Sequence, residues 1–273
     1  SETQKFLKML KLGEYYKTHN VQRADSMKHV LLQKSRVFND SIRFSALMYS
    51  AEVNDIQGNS DEYFRDVLAC QPFLNKLYSD EVTYKIYQHL GYYHSYSLEF
   101  ETAAFYLGIA QKLATKKRNN ARIAETNNYM ALNFMYQNNK DSAIYYSNRA
   151  LHFARRNSNK KILFESFNNQ ARIYDYFGQI ELSVSKNLIA LQLATELNDI
   201  YHMAKFNREL GKSQRLILNL DDATFYFKRS YEFAALISDN HQMGLALTNL
   251  GTVYYERKDY KKAIENTQRA IRI

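Results

Sequence analysis

Lys205, Arg208, Lys212 and Arg215 set four cations at three- and four-residue steps. On an α-helix that spacing makes one face, and like charges so placed repel at about a few tenths of a kcal/mol per pair. Two kinds of partner offset the repulsion: acids on a neighbouring helix, for which Glu165 and Asp175 are the candidates, or an anionic ligand. A guanidinium grips a carboxylate through two parallel N–H donors, and an ammonium attracts it as a point charge. Asn128 and Asn168 precede the stripe, and an amide both donates to and accepts from a peptide backbone. The chemistry offered is recognition of an extended chain with acidic groups, in which Arg208, Lys212 and Arg215 hold the carboxylate.

Signs of catalysis are missing. The chain has no Gly-rich phosphate loop, no Gly-x-Ser-x-Gly elbow and no His-Glu-x-x-His. A single cysteine, Cys70, excludes an internal disulfide framework. His89 and His94 are five residues apart and fall on different helix faces. Asp25 with His29, and Asp199 with His202, are pairs that reach one another on a helix, yet two ligands make a poor metal site, so ion pairs are expected. The chain therefore reads as a non-enzyme that needs no cofactor and no metal.

The net charge of +9 is unevenly placed. Residues 115–161 hold ten Lys or Arg against two acids. Lys116, Lys117 and Arg118 lie 40 residues before a second cluster framed by Arg155, Arg156, Lys160 and Lys161. The two clusters mark one edge as a surface for an anionic partner, or simply as a solvated edge. Twenty-three tyrosines would supply stacking platforms for nucleic acid. Tyr96, Tyr136 and Tyr176, and likewise Tyr106, Tyr146 and Tyr226, keep a regular register instead, which points to packing and leaves nucleic acid the least favoured partner.

That register belongs to the elements that position these groups. Gly91, Ala131, Ala171, Gly211 and Gly251 stand 40 residues apart, as do Ala103, Ala143, Ser183, Ala223 and Ala263, and Ala110, Ala150, Ala190, Ser230 and Ala270. Small residues in three locked series mark one supersecondary unit copied in tandem, with close backbone approach at three places. One Pro and eight Gly among 273 residues predict a chain that is nearly all helix. In the stretch 249–271, Leu250, Gly251 and Tyr254 form one amphipathic stripe and Tyr260, Ala263, Ile264 and Ala270 another, a helical hairpin with a short polar turn. Gly58, Asn138, Gly178 and Lys258 share the turn position, where a left-handed cap is expected; Leu98 and Leu218 sit there too and do not suit it. Pro72 predicts that its helix ends or kinks at Gln71. No window approaches the roughly 18 apolar residues of a membrane span, and no signal-peptide pattern is present.

Leu90-Gly91, Leu210-Gly211 and Leu250-Gly251-x-x-Tyr254, with Gly178, Phe100, Tyr260, Phe227 and Ala150-Leu151, resemble the tetratricopeptide repeat. The 40-residue period is similar to the subgroup with extended helices found in bacterial peptide-sensing regulators and kinesin light chains. The chain departs from the family where an aromatic is expected in the second helix: Leu107, Ser147, Asn187 and Thr267 replace it, and Phe227 alone keeps it. The resemblance implies an all-α solenoid of about seven antiparallel helical hairpins in a right-handed superhelix. Residues 80–273 form the strict array and 1–79 a divergent start, and the array is expected to continue past the end of this stretch.

In this family the first helix of each hairpin lines the concave face. Positions three and six before the small residue, and one and four after it, are then the groove positions. They give Asn128, Asn168, Arg172, Lys205, Arg208, Lys212, Arg215 and Tyr255 as the peptide-binding set. The residue types are similar to the family's carboxylate clamps, but the chaperone-binding spacing is not reproduced. The leading expectation is a protein- or peptide-binding scaffold for an acidic ligand, the recognition region of a larger, bacterial, signalling or regulatory protein. Two alternatives stay open: the sensor of a peptide-responsive transcription regulator whose DNA-binding module lies elsewhere, and a self-association module. Contact with a membrane is expected only through segments outside this stretch.

Overall fold

The computed structural model describes residues 1–75 and 80–273. They build fourteen α-helices in seven antiparallel hairpins. The hairpins are α1 (Glu2–His19) with α2 (Val21–Ser35), α3 (Asp40–Ile56) with α4 (Ser60–Ala69), α5 (Asp80–Tyr96) with α6 (Phe100–Lys116), and α7 (Asn120–Tyr136) with α8 (Lys140–Ala154). They continue as α9 (Lys160–Tyr176) with α10 (Ile180–Glu196), α11 (Ile200–Leu216) with α12 (Leu220–Leu236), and α13 (Asn240–Glu256) with α14 (Tyr260–Arg272). From α3 to α13 every first helix starts 40 residues after the last, so the sequence period is also the structural one.

Local chemistry starts α3, α7, α9, α11 and α13. Asn39, Asn119, Asn159, Asp199 and Asp239 are N-caps whose side-chain oxygens accept backbone N–H groups of the first turn. Within the hairpins, Gly58, Asn138, Gly178 and Lys258 take the left-handed φ that the sequence suggests. Leu98 and Leu218 correct the reading that set them apart, since both adopt the same conformation with φ 61. Packing of the two helices imposes the turn on whatever residue stands there, at about 1–2 kcal/mol for a residue with a Cβ. Pro72 acts as expected: α4 stops at Ala69, and Gln71–Asn75 continue as a 3-10 turn.

The small-residue series has a steric cause. A Cβ on Gly91 would lie 2.5 Å from Leu107 Cγ, one on Gly211 2.7 Å from the Phe227 ring, and one on Gly251 2.7 Å from Thr267 Oγ1. Within residues 80–273 the two units with alanine at this position carry Ser147 and Asn187 sixteen residues on, while in the divergent start Ala51 is paired with Val67. In the strict array glycine thus stands opposite Leu, Phe or Thr, and alanine opposite Ser or Asn. The missing aromatics of the second helix are one half of a size-matched pair.

The array also closes on itself. Val21 N–H donates to the Ile237 carbonyl at 2.9 Å. Val21, Tyr201 and Ile237 form a buried cluster with Ile56 and Ile200 against it, joining the first two hairpins to the sixth. Gly58 packs against the His241 ring. Lys17, ion-paired with Glu14 and Glu52, fastens α1 to α3. The first hairpins thus meet the later ones across the concave face, which becomes a channel between them.

Candidate functional site

Two registers of the first helices supply the channel's charged lining: Lys85, Glu125, Glu165 and Lys205, and Glu52, Arg172 and Lys212. Asp55, one turn after Glu52, completes it from α3. Burial pushes the Asp55 carboxyl above the ordinary range, against the pull of Lys205 and Arg172. Burial likewise lowers the Lys205 ammonium, opposed by Asp55 and reinforced by Arg172 and Arg208. Asp55, Arg172 and Lys205 therefore sense one another across the channel, yet among the described residues none of the three forms an ion pair within 4 Å.

Opposite in character is the wall built by α4, α5 and α7. The Tyr63 hydroxyl meets His89 Nδ1 at 2.8 Å. The rings of Tyr92 and Tyr129 lie 5.2 Å apart, and those of Tyr63 and Tyr92 6.0 Å. Burial takes the His89 imidazole down to about 4, against the pull of Glu52, so it is neutral at pH 7. The channel thus carries an aromatic patch on α4, α5 and α7 beside its charged groups.

The cationic stripe is not left bare. Arg208 donates to Glu209 Oε1 at 2.9 Å and to Gln242 Oε1 at 2.7 Å, and Lys212 to Glu209 Oε2 at 2.7 Å. Arg215 donates to Glu256 Oε1 at 2.6 Å. Burial alone would raise the Glu209 carboxyl, but Arg208 and Lys212 outweigh it and hold it at about 2. The acids that balance the stripe are Glu209 and Glu256, where the sequence suggests Glu165 and Asp175. Burial raises both of those carboxyls, and Asp175 Oδ1 has no hydrogen-bond partner.

Asn128 and Asn168 lie beneath the channel floor, 4% and 5% exposed. Asn128 Nδ2 donates to Ser166 Oγ at 3.0 Å and Asn168 Nδ2 to Asn187 Oδ1 at 3.1 Å, so both amides tie neighbouring helices together. The position three before the small residue turns into the seam, and the position two before it faces the channel. That neighbouring series is His89, Tyr129, Asn169, Glu209 and Asn249. Five residues without one aliphatic among them were the signal that would have found it. Tyr255 is exposed at the end of α13, its ring 5.7 Å from that of Tyr260.

Along the basic edge, Lys116, Lys117, Arg118, Arg155, Arg156, Lys160 and Lys161 are all exposed. Lys160 donates to Glu196 at 2.7 Å, and Arg155 lies 5.9 Å from the centre of the Phe167 ring. Asp199 Oδ2 and His202 Nδ1 approach to 3.0 Å, and Asp25 and His29 to 3.9 Å. His89 and His94 part, one to Tyr63 and the other to Glu99.

No protein-family model and no curated protein matches the sequence. Solved structures do match, and they define the class: the chain has a tetratricopeptide-like fold. It is similar to NprR in complex with its cognate peptide NprX, with a TM-score of 0.69 and 15% identity over 97% of this chain and 78% of that one. It is similar also to a Rap protein complexed with Competence and Sporulation Factor, with a TM-score of 0.66 and 16% identity over 98% and 76%. A signal-transduction ATPase with a tetratricopeptide repeat sensor from Pyrococcus horikoshii gives a TM-score of 0.64 and 16% identity over 91% of this chain and 37% of that one.

Proposed function

We propose that the chain is a peptide-binding scaffold whose closed channel receives an extended acidic peptide. Arg172 and Lys205 are its principal acid-binding groups. The observation that carries this reading is their lack of ion pairs in a sheltered channel, beside a stripe whose other three cations are all matched. Arg172 reaches only Asn169 Oδ1, at 3.5 Å, and the Tyr136 hydroxyl, so neither of these half-buried cations has a counter-charge. An uncompensated charge screened from water is costly to keep. A ligand carboxylate would supply that counter-charge beside Asp55, whose carboxyl both cations already pull on. Arg208, Lys212 and Arg215 then shape the wall through Glu209 and Glu256, and Asn128 and Asn168 hold the floor. The Tyr92 and Tyr129 rings take the apolar side chains of the same peptide. Residues 1–75 close the channel and add Glu52, Asp55 and Tyr63 to it, while the array from residue 80 provides the rest of the ligand-binding lining, a division the sequence suggests at residue 80. The NprR complex supports the reading, because a fold of this shape there holds a peptide.

Selection of ligands from a random heptapeptide library on the immobilised chain tests the proposal. Acidic peptides should be enriched by the native channel and not by Arg172→Met/Lys205→Met. Equal enrichment on both, or none on either, would refute it.

Self-association is favoured as a second reading by α14, where Ile264 is 58% and Ile271 80% exposed. Sedimentation showing a monomer at every concentration would remove it.

A further inference from the structure

A cleft of about 540 Å³ opens on the outer side of the array between α8, α9 and α10. His152, Arg155, Arg156 and Lys186 stand around it, with Gln170 and Tyr174 among its other lining groups. Arg156, Lys186 and the Tyr174 hydroxyl have no protein partner among the described residues. Arg155 has only the Phe167 ring, 5.9 Å away. Three cations therefore converge on one concavity without an acid to balance them.

The repeat supplies an internal control. At the positions of His152, Arg155, Arg156 and Lys186 the next seam carries Gln192, Thr195, Glu196 and Tyr226, and the one after it Glu232, Ala235, Leu236 and Asn266. Helix packing plainly does not require cations there. Gln170 departs in the same direction. It is 2% exposed at a position where the sister seams bury Leu210 and Leu250. Its Nε2 donates to Asn148 Oδ1 at 2.7 Å, across the seam to α8. Burying an amide where an aliphatic packs equally well costs stability. The Gln170 Nε2 also reaches Ser147 Oγ at 3.4 Å, so the amide serves the cleft by holding Asn148 in the lining.

We propose that this cleft is an oxyanion site for a phosphate monoester, separate from the channel and independent of its reading. A phosphate dianion presents three terminal acceptor oxygens and needs several donors. Two guanidinium groups, an ammonium and the Tyr174 hydroxyl meet that need, and His152 adds a further donor when protonated. The phosphate can come from a free small molecule or from a phosphorylated side chain, and the cleft recognises the group they share.

The test is calorimetric titration of the chain with inorganic phosphate, with a phosphoserine peptide and with the same peptide unphosphorylated. Inorganic phosphate and the phosphopeptide should bind, and the unphosphorylated peptide should not. Tighter binding of the phosphopeptide assigns the source to a side chain; equal binding assigns it to a free ester. Arg155→Ala/Lys186→Ala should weaken binding about tenfold or more, as expected for lost charge-assisted hydrogen bonds. Lys116→Ala/Lys117→Ala removes as much charge from the same edge and should change affinity less than about twofold. Gln170→Leu should raise the melting temperature and lower phosphate affinity, which a merely structural amide would not do. Absence of binding by either phosphate probe, equal losses in the two double variants, or a Gln170→Leu chain that is less stable with unchanged affinity would each overturn the proposal.

Discussion

Gly211→Ala is a one-atom perturbation with two opposed consequences. Alanine is the better helix former by about 1 kcal/mol. The added Cβ, however, would lie 2.7 Å from Cδ1 and Cε1 of Phe227, a ring that is fully buried. Overpacking of this kind costs about 1–3 kcal/mol, so the net effect should be a loss of up to about 2 kcal/mol. Phe227→Ser recreates the pairing that Ala131 makes with Ser147. By itself it should cost about 3–5 kcal/mol in lost burial and cavity. Combined with Gly211→Ala it should cost less than the sum, with a coupling of about 1–2 kcal/mol. Ala131→Gly, which faces only Ser147, should lose about 1 kcal/mol of helix propensity and gain nothing. Urea denaturation followed by circular dichroism gives the shifts, and hydrogen exchange on α11 and α12 locates them within the array. Should Gly211→Ala stabilise the chain, or the double-mutant cycle close without coupling, the size-matching argument is wrong.

Other consequences are as specific. Burial raises the Asp239 carboxyl from 3.8 to about 6, and its Oδ2 is buried without a partner. The folded chain then holds a proton that the unfolded chain releases, so this group favours folding fully below about pH 4 and loses that contribution as pH rises through about 6. Asp239→Asn keeps the helix cap, as Asn119 and Asn159 do in sister units. It should be more stable than the native chain by about 2–3 kcal/mol at pH 7.5, an advantage that shrinks toward zero at pH 4 in denaturation curves taken across that range. Leu218, 77% exposed at φ 61, should give a gain of about 1 kcal/mol on replacement by glycine, read as a higher melting temperature. An unchanged or lower value would show that the leucine holds the turn through contacts of its own.

Much of the architecture was legible because the repeat is strict: each first helix from α3 onward begins at the residue the 40-step demands, and Pro72 shortens α4 as its ring requires. Leu98 and Leu218 were misjudged because turn propensity is local, whereas the two packed helices dictate the turn. The site was read less well. Counting by three from the small residue placed Asn128 and Asn168 in the groove, but a helix advances 3.6 residues per turn, and the channel position is one residue later. Glu209 was passed over as a partner for Arg208 because adjacent helical residues do not normally face each other. A long guanidinium can curl back to its neighbour, and here it does. Asp55 could not be linked to Arg172 and Lys205 without knowing that the array closes, a contact between chain segments far apart in sequence.

The most direct measurement is a titration of the native chain, Arg172→Met/Lys205→Met and Arg155→Ala/Lys186→Ala with one acidic peptide selected on the native channel. The account predicts that only the channel variant loses affinity, by about a hundredfold for two half-buried charge contacts, while the cleft variant binds as the native chain does. Undiminished binding by the channel variant, or equal loss in both, would contradict the assignment of the channel as the peptide receptor.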